Sequence, residues 1–170
     1  KGNEVPITPE CKPRDDMGIY FIPINGCFIH TLMDDNCAQN KNGSGLSYKR
    51  GTKLAKDIAV FDYNVNYSKY LSWFPNLNVL QKNLQNYYET GVKSYLLEGN
   101  SNTGEGHYQQ HMEGWVAAKL MWNPYLDMVD LISEFNHYYF GEKAGQLADE
   151  LVWYMEAHFN YRSKEEGKAL

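Results

Sequence analysis

The chain has 170 residues, 43% of them hydrophobic and 15% aromatic, and a net charge of −5. That length fits one domain, and that apolar fraction can fill a core, so extensive disorder is excluded. The acidic balance excludes a nucleic-acid backbone as partner, and no apolar run approaches the roughly 20 residues of a membrane helix.

Residues 1–17 hold three prolines and no periodicity, and read as an extended lead-in. The chain opens Lys1-Gly2-Asn3 without Met, as a processed or excised piece does. Residues 18–24 (GIYFIPI) form a short apolar run, the pattern of a strand buried on both faces. Residues 25–45 are polar and rich in Gly and Asn, and read as a long loop of the functional kind. A helix is expected over 46–55 and a second buried strand over 57–63 (DIAVFDY).

Residues 64–76 form an aromatic and polar connection. Asn76 or Asn78 then caps a helix whose Leu77, Leu80, Leu84 and Tyr87/Tyr88 share one face. Gly91 stops it, and residues 92–97 (VKSYLL) give a third strand. Three helices follow. The first, over 107–122, carries Met112, Trp115, Ala118/Lys119 and Trp122 in register. Asn123-Pro124 starts the second, with Leu126, Val129, Ile132 and Phe135 on one face and Gly141 as its stop. The third runs from 142 to about 160 with Leu147, Leu151 and Tyr154/Met155 inward. Trp115, Trp122 and Trp153 are expected in the core. Residues 18–160 thus form the body, and 161–170 a charged tail.

Strands alternating with helices imply a parallel sheet with right-handed crossovers. A closed eight-unit barrel takes about 250 residues. The expected fold is therefore a partial (β/α)8 fragment: about three parallel strands and a C-terminal group of helices. Three strands leave open edges, which a homodimer or a missing N-terminal barrel portion would cover.

In such sheets chemistry gathers at the carboxyl ends of the strands. There the sequence places His30 and Asp34 after the first strand, Asp62, Tyr63 and Asn64 after the second, and Glu98 and Asn100 after the third. Adjacent strands lie about 4.8 Å apart, so Asp62 and Glu98 can approach to roughly 5–9 Å, the separation of an acid and a base or nucleophile in glycoside hydrolysis. The plainer reading is that these Asp and Asn residues cap loops and form turns. Tyr63, Tyr67, Tyr70, Trp73 and Phe74 make either a platform for sugar rings or loop packing. His107 and His111 have zinc-ligand spacing, but Tyr108 stands where a zinc protease needs Glu. Of Cys11, Cys27 and Cys37, the last two flank a loop and could pair; none has CxxC spacing. No cofactor and no metal set is assigned.

Three stretches carry a resemblance. They are IAVFDYNVNYSKYLSWFPNLNVL, ETGVKSYLLEGN and AAKLMWNPYLDMVDLISEFNHYYFG, with FIPINGCFIHTLMDDNC upstream. Over roughly residues 18–158 the chain resembles a bacterial family of large secreted proteins, known as a domain of unknown function and grouped with glycoside-hydrolase-like barrels. The resemblance implies relatives among α-glucuronidase-like and hexosaminidase-like enzymes, and a chain equivalent to the C-terminal part of the barrel. It implies an extracellular or periplasmic location. Set beside the strand-end reading, it makes Asp62 and Glu98 the catalytic candidates and His30, Asp34, Tyr63, Asn64, Trp73 and Asn100 the residues expected to hold a carbohydrate ligand. The alternative is a non-catalytic carbohydrate-binding or structural fragment. Four positions depart from the family pattern: Phe61 for Trp, Leu97 for Glu, Glu98 for Gln and Thr31 for Pro.

Overall fold

A computed structural model describes residues 9–99 and 108–166, with side chains over 10–99 and 109–158. Three strands, β1 (Gly18–Phe21), β2 (Asp57–Tyr63) and β3 (Ser94–Glu98), form one open parallel sheet in the order β1-β2-β3. Between β1 and β2 lie α1 (Ala38–Asn42) and α2 (Ser44–Leu54). Between β2 and β3 lies α3 (Leu77–Glu89). After β3 come α4 (Tyr108–Trp122), α5 (Met128–Phe140) and α6 (Glu142–Glu166). The described residues are thus a partial α/β unit of the expected kind: successive strands are neighbours, and each crossover is helical. No helix among them is long and apolar enough to cross a membrane.

The register fixes which side chains share a face. Phe21, Val60 and Tyr95 align, as do Asp62 with Leu97 and Tyr63 with Glu98. Ile58, Val60 and Asp62 point to the helix side and are buried. There they meet Leu77, Leu80, Leu84 and Tyr87 of α3, then Met112, Val116 and Leu120 of α4. Full burial of each such aliphatic side chain is worth about 1.5–3 kcal/mol. The other face is open. Tyr20 is 55% exposed and Leu96 46%, with Phe61 between them half-buried. The apolar runs therefore do not make strands buried on both faces; one face lacks a covering layer among the described residues.

The helices also differ from the sequence reading in detail. The long loop contains α1, and the following helix starts at Ser44 instead of 46. Helix α5 starts at Met128, because Asp127 accepts from the amides of Val129 (2.8 Å) and Asp130 (3.2 Å) and is the effective cap. Asn123 caps only a local turn, accepting from Tyr125 N–H at 3.1 Å. In α6 the inward stripe is Gly145, Ala148, Val152 and Glu156, while Leu147, Leu151 and Tyr154 face out. The reason is close approach to α5: a Cβ on Gly145 would lie 2.7 Å from His137 Cδ2. Small residues permit that contact, and leucines do not fit it. Trp122 is 92% exposed and is not core; Trp115 and Trp153 pack against the core, partly buried. Gly91 and Gly141 do end their helices, with φ of 79° and 78° that only glycine adopts readily.

Candidate functional site

The C-terminal ends of β2 and β3 carry an aromatic surface with one carboxylate on it. Glu98 is partly exposed and accepts from the Tyr67 hydroxyl at 2.5 Å. Tyr63, its partner in the ladder, stacks on Phe61 with centroids 5.2 Å apart and rings 20° from parallel. The chain of rings continues edge-on through Tyr67 (6.0 Å from Tyr63) to Tyr70 (6.2 Å from Tyr67), and Tyr20 meets Phe61 at 6.4 Å. Phe28, from the loop after β1, meets Tyr63 at 6.3 Å. Burial, and then the bond to Glu98, push the Tyr67 phenol well above its ordinary value, so it stays a donor. This arrangement offers flat apolar faces beside a hydrogen-bond acceptor.

Asp62 lies one residue from this surface and belongs to the opposite face. Its Oδ1 accepts from the Tyr63 amide at 2.9 Å; its Oδ2 accepts from Tyr87 OH at 3.0 Å and Tyr95 OH at 3.5 Å. Burial raises its pKa, and these three bonds oppose the rise. Strand alternation is the cause: Asp62 shares parity with Val60 and Leu97, Glu98 with Tyr63. The two carboxylates leave the sheet on opposite sides and do not face one another.

Behind the strand ends is a buried polar network. Asn64 Nδ2 donates to Glu113 Oε2 at 2.8 Å, and Asn64 Oδ1 accepts from Asn76 Nδ2. Gln109 donates to Glu113 and to the Phe74 carbonyl (2.9 Å), and accepts from the Phe74 amide (3.1 Å). Trp73 Nε1 donates to Glu156 Oε1 at 2.7 Å. Burial pushes the Glu113 carboxyl well above its usual range, and the Glu156 charge adds to this. Glu156 is raised to about 7 by burial, against the Trp73 bond. Two carboxyls 43 positions apart in the chain thus join α4, α6 and the segment entering α3. Trp73, expected on the platform, serves this network instead of extending the ring chain.

The loop after β1 is organised by Asn40, which is wholly buried. Its Oδ1 accepts from Cys27 N–H at 2.7 Å, and its Nδ2 reaches the carbonyls of Cys27 (3.1 Å), His30 (3.2 Å) and Thr31 (3.0 Å). Cys27 Sγ lies 3.3 Å from His30 Nδ1, and Cys37 completes a group whose ligand atoms all fall within 4.8 Å. Both cysteines are free thiols. Among the described residues these three could hold a metal ion. Asp34, expected at a ligand, accepts from Asn36 N–H at 2.8 Å and so forms a turn in this loop. Asn100 and His107 lie outside the described residues; His111 is exposed and its Nδ1 lies 3.5 Å from Tyr139 OH.

Glu113, Glu156 and Asn40 were not singled out by sequence reasoning as site residues. For Glu156 the signal was its place in the small-residue stripe of α6, which the neighbouring leucines outweighed. For Glu113 it was the spacing from Gln109 along one helical turn.

An open parallel α/β unit with an aromatic, carboxylate-bearing strand end defines the class. Residues 4–152 match the family model described as Domain of unknown function (DUF4838), and the chain belongs to that family. No curated protein and no solved structure matches it.

Proposed function

We propose that the open end of β2 and β3 binds a carbohydrate, and that the unit is part of a glycoside-hydrolase-like barrel. The observation that carries this reading is Glu98 held by Tyr67 beside the stacked Tyr63 and Phe61. Pyranose rings present apolar C–H faces and polar rims. Aromatic faces take the first and a fixed carboxylate accepts from the second. In this reading Glu98 contacts the ligand and the exposed Tyr67 and half-buried Phe61 form its floor, with the buried Tyr63 supporting them from beneath, while Asp62 holds β2 to α3 and β3. Hydrolysis needs two carboxyls that flank the scissile bond within one cleft, roughly 5–9.5 Å apart. Asp62 does not supply the partner of Glu98, so binding, and not turnover, is the part these residues support. The edges of β1 and β3, which pair with no further strand among the described residues, would in this reading lie against further barrel strands or a second copy of the chain.

A glycan array, followed by calorimetric titration of any ligand found, tests the proposal. Glu98→Gln is expected to weaken binding about tenfold or more, the worth of a hydrogen bond to a charged group. Binding unchanged by Glu98→Gln and by Tyr63→Ala would remove this surface as the site.

A further inference from the structure

We infer that Cys27, His30 and Cys37 form a zinc site that staples the loop between β1 and α1. Three features of the loop point to this. The first is convergence. Two sulfur atoms and one imidazole nitrogen, from a stretch of 11 residues, lie within 4.8 Å of one another, with Cys27 Sγ and His30 Nδ1 3.3 Å apart. A tetrahedral zinc, with Zn–S about 2.3 Å and Zn–N about 2.0 Å, spaces its ligand atoms roughly 3.5–3.8 Å apart. The cluster needs only small side-chain shifts to meet that spacing.

The second is preorganisation. Asn40 binds the backbone of Cys27 on both its N–H and its C=O, and also the carbonyl of His30. Two of the three ligand-bearing residues are therefore clamped by one buried amide, which is itself three residues from Cys37. A metal that binds here meets a loop whose ordering entropy is already largely lost. The Leu32 amide, donating to Asn83 Oδ1 at 2.9 Å, ties the same loop to α3.

The third is the donor set. Two thiolates and an imidazole suit zinc, and are a poor match for magnesium or calcium, which take oxygen ligands. Binding releases the thiol protons, and the fourth position is left for water or another small donor. A Cys27–Cys37 disulfide would use the two sulfurs but leave the approach of His30 without a role. Phe28 lies between two of the ligands and packs on Tyr63 at 6.3 Å and on Phe74 at 6.1 Å. The metal would thus also fix one wall of the aromatic surface. The inference itself does not depend on what that surface binds.

The test uses the full chain carrying Cys11→Ser, which removes the exposed third thiol. The protein is reduced, stripped with a chelator and titrated anaerobically with Co(II), then with Zn(II). One equivalent of cobalt with a thiolate-to-cobalt charge-transfer band, displaced by zinc, is the expected result. Cys27→Ser and Cys37→Ser are expected to lose the band, and Asn40→Ala, a positioning change, to weaken zinc about ten- to a hundredfold. If a serine variant misfolds, the titration of the parent protein still decides. No thiolate band in the reduced parent overturns the inference, as does a band that survives in folded Cys27→Ser and Cys37→Ser.

Discussion

Glu156→Gln isolates the cost of a buried carboxyl. In the folded protein Glu156 is 2% exposed and titrates at about 7, against an ordinary value of 4.5. Because the folded value is raised, the proton is held more tightly in the folded state. The stability it confers is fully present below about pH 4.5 and is lost as pH rises towards about 7. The difference of about 2.5 units corresponds to about 3 kcal/mol. Glutamine keeps an oxygen for the Trp73 indole and removes the titration. The difference in unfolding free energy, variant minus parent, is therefore expected to grow by about 3 kcal/mol between about pH 4 and about pH 8. Urea unfolding followed by far-UV circular dichroism at several pH values measures it. Other titrating groups act on both proteins and largely cancel, except Glu113, which the Glu156 charge raises; the comparison is therefore made with Glu113→Gln in both proteins. A difference that is flat with pH would refute the reasoning and mean that Glu156 ionises in the fold as it does in water.

Tyr87→Phe removes the 3.0 Å donor to Asp62, and a loss of about 1–3 kcal/mol is expected in denaturant titration. Gly45→Ala drives a Cβ to within 2.2 Å of the Leu32 carbonyl and 2.7 Å of the Asn40 carbonyl, both backbone, and should cost about 3 kcal/mol and lower the thermal midpoint. Gly145→Ala presses on His137 and should cost about 1–3 kcal/mol by the same measurement, with α5 and α6 separating. Trp122→Ala is the surface control: at 92% exposure it is expected to change stability by less than about 0.5 kcal/mol.

The strands were legible because β2 carries an uninterrupted apolar run with β-branched residues, and its bounds at Asp57 and Tyr63 match the sequence reading. Helix α3 was legible because Leu77, Leu80, Leu84 and Tyr87 repeat at the helical period. Helix α6 was misread for the opposite reason. Its leucines are outside, and its packing face is set by the volume left beside His137, which no periodicity encodes. The same limit applies to the strand ends. Composition gathers Asp62 and Glu98 near one edge, but only the register shows that neighbouring positions of β2 and β3 alternate between α3 and the open face. The cysteine loop was hidden because its spacing fits no short metal motif; its geometry depends on Asn40, whose four bonds to the loop backbone are a product of the folded chain.

The most direct test of the account is calorimetric titration of a glycan-array ligand into the parent protein, Glu98→Gln and Tyr63→Ala. The account predicts saturable binding to the parent, weakened about tenfold or more by Glu98→Gln and further reduced by Tyr63→Ala, with both variants folded. Folded variants that bind as tightly as the parent would contradict it.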